Sequence, residues 1–285
     1  MNKNIHTFIG CNGEYEDSKI VIFGAPFDGT TSYRPGARFA PSRMRDESEY
    51  AIETYSPYQN KDLTDYSIFD GGDLEIPYGN TERVLKVIED YVERLLKDDK
   101  VSLMIGGEHL VTLGAVRAYG KHYDDLHIVH FDAHPDLRDE YLGEKLSHAT
   151  VMRRCWEIVG DNRIFQYGIR SGDRDELHWG KEHVKTSMFD FAGIESLKKR
   201  IKDKPVYLTI DLDVLDPSEF PGTGTPEAGG VSFRELLEAI NHLKGLNIVG
   251  LDMVELSPPN DPTGISTALA CKLLRELLLQ IISNS

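Results

Sequence analysis

Short apolar runs alternate along this chain with longer segments in which apolar residues recur every three or four positions. SKIVIFGAP (18–26), DYSIFDGG (65–72), VSLMIGG (101–107) and LHIVHFDAH (126–134) come first, and NRIFQYGIR (162–170), PVYLTIDLD (205–213) and LNIVGLDMVEL (246–256) follow. HVKTSMFD (183–190) is a weaker run of the same kind. Several are nearly continuous in apolar residues, the pattern of parallel strands covered on both faces. Between them, TERVLKVIEDYVERLLKDD (81–99) sets Val84, Leu85, Ile88, Tyr91, Val92 and Leu95 on one helical stripe. SFRELLEAINHLKG (232–245) repeats that pattern, with Ser232 placed to cap its start and Gly245 to stop it. A final helix over 265–282 is apolar on most sides, which predicts packing on the sheet or against a partner subunit. Strand and helix alternate with no linker, low-complexity segment or internal repeat. Residues 1–285 therefore read as a single α/β domain with a parallel sheet covered by helices on both faces.

Composition changes this picture little. With 40% hydrophobic and 28% charged residues in 285, the chain has an ordinary globular make-up. The start, MNKNIHTFIG, lacks the apolar core of a signal peptide, and no run approaches the roughly 18 apolar residues of a membrane span. Cys11, Cys155 and Cys271 stand far apart, in no CxxC pattern, so a reducing cytoplasm is expected. The net charge of −15 argues against a nucleic-acid partner, which needs a basic face, and suits a cationic small molecule.

The chemistry lies at the ends of the runs, because in open parallel sheets ligands bind beyond the carboxyl ends of the strands. VSLMIGG runs into Glu108 and His109; LHIVHF ends in Asp132, His134 and Asp136; VYLTI ends in Asp211 and Asp213; LNIVGLDMV ends in Glu255. Alternate residues of a strand share a face, so Asp132, His134 and Asp136 are expected to converge if the extended backbone persists, and Asp211 and Asp213 likewise. Four aspartates cannot gather near an apolar core without cations, since desolvating each unpaired carboxylate costs several kcal/mol. A set of four carboxylates and two imidazoles is too oxygen-rich for structural zinc and has more nitrogen than calcium prefers. Two divalent ions of the Mn²⁺ kind fit it, and such a pair activates water for hydrolysis.

Most of the ten histidines read as bystanders. His6, His122, His178, His183 and His242 lie in charged or helical surroundings, and His127 is out of phase with Asp132. His130 is in phase but two residues deeper, about 6–7 Å along a strand, and reads as a core histidine or one behind the ligands. His148, in KLSHAT, follows the DxHxD residues by a short loop at the expected start of a helix, where it can overhang the ions. PGTGTPEAGG (221–230) has no lysine and no GxxxxGK[ST] order, and is read as a loop shaping the pocket, not as a phosphate cradle.

In order along the chain, GGEH, DAHPD, SHA, TIDLDVLDPSEFPGTGTPEAGG and DMVELSP resemble the ureohydrolase family of arginases and agmatinases. FGAPFDGTTSYRPGARFAPSRMR (23–45) resembles the agmatinase branch. The resemblance implies a three-layer αβα sandwich around a mostly parallel eight-stranded sheet, and a dinuclear manganese centre. One ion would be held by His109, Asp132, Asp136 and Asp211, the other by Asp132, His134, Asp211 and Asp213. Hydroxide bridging the ions would attack the guanidinium carbon of agmatine, giving urea and putrescine. Glu255 and Asp213 would bind the guanidinium and His148 would shuttle protons. The resemblance also implies a homo-oligomer, trimer or hexamer. Two residues depart from the commoner pattern: Glu108 where many relatives carry Asp, and Pro135 where Thr or Ala is usual. Arginine and guanidinobutyrate stand as alternative substrates, and a dinuclear phosphoesterase or a non-catalytic scaffold as remoter readings. In the loop DLRDEYLGEKLS (136–147), Asp139, Glu140 and Glu144 against Arg138 and Lys145 tilt toward a cationic substrate tail.

Overall fold

Ile20 and Ile22 pack into one hydrophobic cluster and Val21 and Phe23 into a second, and all four are buried. Leu103 and Ile105 against Met104, and Leu208 and Ile210 against Tyr207, divide between the same two clusters. The apolar runs are thus continuous because each strand has a core on either side. A computed structural model describing Met1 and residues 4–282 gives all eight runs as strands of one sheet. They are β1 Ile20–Ala25, β2 Ile68–Asp73, β3 Val101–Gly106, β4 His127–Phe131, β5 Ile164–Ile169, β6 Lys185–Met188, β7 Pro205–Asp211 and β8 Asn247–Val254. A two-residue antiparallel ladder, Tyr55–Ser56 with Lys61–Asp62, stands apart.

The helices are α1 Ala40–Ala51, α2 Thr81–Lys97, α3 Val111–His122, α4 Val151–Val159, α5 Arg174–His183, α6 Leu197–Ile201, α7 Phe233–His242 and α8 Ile265–Ile282. The predicted stripe of α2 is buried, and the Asn80 side chain caps its start by accepting the Arg83 N–H. Ser232 caps α7 as expected, and Glu235 returns a hydrogen bond to the Ser232 N–H at 2.8 Å, completing a capping box. α7 ends at His242, three residues before Gly245. α8 is buried along most of its length by its own chain, against α1 and α7. Helices α2, α3 and α4 cover one face of the sheet and α1, α7 and α8 the other, giving the three-layer αβα sandwich. Among the described residues no helix is long and apolar enough to cross a membrane.

The strand order is β2-β1-β3-β8-β7-β4-β5-β6, with every neighbouring pair parallel, where a mostly parallel sheet was expected. The weaker run, β6, is an edge strand with two exposed and two half-buried residues, which accounts for its faint pattern. β3, β8, β7 and β4 are adjacent, and these are the four strands whose carboxyl ends carry the polar residues. Neighbouring strands are about 4.8 Å apart, so four chain segments distant in sequence meet within reach of a small ligand.

Part of the segment 23–45 is structural. Arg45 is 3% exposed and its guanidinium bonds both oxygens of buried Asp70, at 2.9 to 3.1 Å, tying α1 to β2. Asp70 also accepts the N–H groups of Phe8 and Gly72, both at 2.9 Å. Replacing Arg45 by Met leaves this carboxylate buried without its cation, and is expected to lower unfolding stability by about 3–5 kcal/mol in denaturant titration.

Candidate metal centre

The residues that end the four central strands leave the extended conformation at once. β4 stops at Phe131, and Asp132 Oδ1 accepts the His134 N–H at 2.6 Å. β7 stops at Asp211, whose Oδ1 accepts the Asp213 N–H at 2.8 Å as the chain enters a 3₁₀ turn, Leu212–Val214. Asp136 and Glu255 both take left-handed backbone, with φ of 53° and 64°. The expected convergence along a pleated strand is therefore corrected. In both D-x-H and D-x-D the first carboxylate turns back onto the backbone N–H two residues on, an Asx turn in place of a continued pleat. Glu255 is held in its strained conformation by its N–H to Gly107 O at 2.9 Å and by Oε1 accepting the His109 N–H at 2.7 Å.

The side chains form two adjoining groups. Around His109 Nδ1 lie Asp132 Oδ2 at 3.0 Å, Asp136 Oδ2 at 3.1 Å and Asp211 Oδ2 at 3.2 Å. The ring is fixed from behind by the Thr209 hydroxyl, 3.0 Å from Nε2. Around His134 Nδ1 lie Asp213 Oδ2 at 3.0 Å and Asp132 Oδ1 at 3.5 Å. Asp132 contributes one oxygen to each group, and Asp213 Oδ1 is oriented by the Ala133 N–H at 3.1 Å. His109 Nδ1 is fully buried and has no hydrogen-bond partner, although three carboxylate oxygens surround it. An unpartnered imidazole nitrogen facing three carboxylate oxygens is a donor set suited to a divalent cation with mixed N and O ligands.

The crowded carboxylates shift one another's protonation and that of the histidine beside them. Burial and the charge of Asp132 push the Asp136 carboxyl up to about 7. Burial, then Asp213 and Asp132, hold Asp211 well above the usual carboxylate range. Burial opposes charge on His134, but Asp213 and Asp132 raise it to about 12. Each shift has the same origin, excess negative charge in a dry site.

Above the carboxylates is a cleft of about 330 Å³, lined by His134, Asp136, Asp211, Asp213, His148 and Thr225 among others. A larger groove, about 870 Å³, lies behind Pro135 along β6, but no carboxylate lines it. His148 begins a 3₁₀ turn, His148–Thr150, leading into α4, with Ser147 as its cap. Its N–H donates to Thr30 Oγ1 and its Nε2 meets Ser32 Oγ, both at 3.0 Å. Burial, and then the charges of His134 and His109, push its pKa down to about 4. Thr225, from the glycine-rich loop, reaches Asp213 Oδ2 at 3.3 Å, as the pocket-shaping reading expects.

Several contacts of the site were not foreseen. Glu108 accepts the Thr30 N–H at 2.8 Å and the Thr30 and Thr31 hydroxyls, fastening the 23–45 segment over the cleft. Burial raises Glu108 to about 7, and burial together with Glu108 holds Glu255 well above its ordinary value. Asp173 and Glu176 line the cleft mouth, and their capping box, DxxE at the start of α5, was a readable signal. Asp139 is turned away and paired with Arg154 at 2.7 Å, so it does not face the cleft as its loop position suggested. His130, read as a core histidine or one behind the ligands, is fully buried and brings Nε2 to 2.7 Å from Asp132 Oδ2.

Residues 18–280 match the arginase family. The chain is 46% identical to the agmatinase of Bacillus cereus over 277 residues, 95% of each. Among solved structures, a candidate agmatinase from Clostridium difficile superposes with a TM-score of 0.91 and 55% identity, covering 94% of this chain and 98% of that one. Proclavaminate amidino hydrolase from Streptomyces clavuligerus superposes at 0.90 with 33% identity, over 99% and 98%. A family match over nearly the whole length and the superposition of the whole fold lead to one conclusion: the chain belongs to the arginase family.

Proposed function

We propose that this protein hydrolyses agmatine to putrescine and urea with the help of two manganese ions. The observation that carries the reading is the convergence of His109 and His134 on Asp132, Asp136, Asp211 and Asp213 at four adjacent strand ends, with Glu255 beside them. The near-full-length likeness to an agmatinase supports the choice of substrate. His109, Asp132, Asp136 and Asp211 would hold one ion, and Asp132, His134, Asp211 and Asp213 the other. Bound there, the ions supply Lewis acidity, lowering the pKa of water and stabilising charge that builds on the attacking oxygen.

The remaining work falls to side chains. Glu255 has one oxygen committed to the His109 N–H, which leaves Oε2 to accept from a guanidinium. Asp213 is held by the Ala133 N–H and adds a second acceptor. His148, neutral near pH 7 and tied to Ser32 at the cleft wall, passes a proton toward the departing amine. Arg138 is the one Lys or Arg lining the cleft among the described residues, and its Nε lies 3.4 Å from Glu176.

Three outcomes are expected. Purified protein loaded with Mn²⁺ releases urea from agmatine at a kcat/KM well above that for arginine or guanidinobutyrate. Equal turnover of all three, or none of agmatine, rejects the substrate. His148→Ala lowers kcat by about 10²–10⁴-fold and removes one limb of the pH profile, with Mn²⁺ content unchanged. Asp136, raised to about 7, keeps below that pH a proton that a cation must displace. Mn²⁺ should therefore raise the thermal midpoint more at pH 8 than at pH 6, as scanning calorimetry would record.

A further inference from the structure

Gln166 on β5 and His130 on β4 are fully buried, yet both are polar and lie at paired positions of the parallel ladder. The Pro135 carbonyl can only accept, so the Gln166 atom 2.7 Å from it is the amide nitrogen. The Thr186 hydroxyl, 3.0 Å from Oε1, agrees with that orientation. The same amide nitrogen lies 3.1 Å from His130 Nδ1. An amide NH₂ only donates, so Nδ1 accepts and the ring proton resides on Nε2. Nε2 is 2.7 Å from Asp132 Oδ2 and donates to it.

A nitrogen that carries a proton offers no lone pair to a metal. His130 is close enough to His109 and Asp132 to pass for a ligand, but both of its nitrogens are committed. Asp132 meanwhile receives one N–H on each oxygen, from His130 on Oδ2 and from the His134 backbone on Oδ1. Two fixed donors set the plane of the carboxylate whose oxygens divide between the two histidine-centred groups.

We infer that Gln166 and His130 are positioning residues for the metal pair: Gln166 fixes the His130 tautomer, and His130 orients Asp132 to serve both ions. Through its bond to Pro135, the same amide also pins the DAHPD loop. The inference rests on the two-ion reading, and the experiment separates the two. Metal-free full-length protein is titrated with Mn²⁺ by calorimetry, bound metal is counted by elemental analysis, and the metal-free thermal midpoint is recorded in parallel.

Gln166→Leu and the volume-matched Gln166→Met are expected to weaken Mn²⁺ binding by about 10–100-fold. His130→Gln, which restores an amide donor toward Asp132, should keep two ions per chain and an affinity near that of the unaltered protein. If Gln166→Leu does not fold, Gln166→Met decides. Unaltered Mn²⁺ affinity in the Gln166 variants, with only a lower metal-free midpoint, would show a merely structural role and overturn the inference. Loss of one ion in His130→Gln would overturn it too, by making His130 a ligand. An unaltered protein that binds no Mn²⁺ removes the two-ion reading itself.

Discussion

Carboxylates gathered at the dry end of the sheet set the terms for everything near them. Asp132, Asp136, Asp211, Asp213 and Glu255 are all buried, and Glu108 lies next to the last. Mutual repulsion on this scale is tolerable only if each group is pinned by donors and the whole is offset by positive charge. The backbone supplies the pins. The N–H groups of His134, Ala133, Asp213 and His109 each donate to a different carboxylate. Such bonds hold the oxygens in place and leave their remaining lone pairs turned toward His109 and His134, the arrangement that two cations would complete.

The cover over the site obeys the same electrostatics. The 23–45 segment arrives on the Phe27 carbonyl, which lies so near Gly107 that a Cβ there would stand 1.8 Å from it. Glu108, with one methylene more than an Asp would have, reaches Thr30 and Thr31 beyond that contact. Thr30 then receives the His148 N–H, so the group proposed to carry protons is placed by the loop that closes the cleft. Glu108 thus joins the floor of the site to its roof.

Much of this was legible in the residues. Eight apolar runs became eight strands, the stripes of α2 and α7 were buried as spaced, and the six candidate ligands came together in two groups. The local route was misread, because period-two spacing suggested a pleated strand while Asp at the first position favours a turn that brings its own carboxylate onto the backbone two residues on. Gln166 was invisible for another reason. Within NRIFQYGIR it is one amide in a strand, and only the ladder that sets β5 beside β4 gives it a partner. The contacts of Glu108 likewise depend on a loop far away in sequence.

The order in which the strands are made has a consequence for biosynthesis. β8, near the end of the chain, is inserted between β3 and β7, and it carries Glu255 at its tip. A nascent polypeptide that has left the ribosome as far as α7 has all six histidine and aspartate ligands, but β3 and β7 have nothing to hold them side by side. His109 and the Asp211–Asp213 turn remain unregistered until the last strand docks. The sheet beneath the centre is therefore complete only once the strand made last has taken its place between β3 and β7.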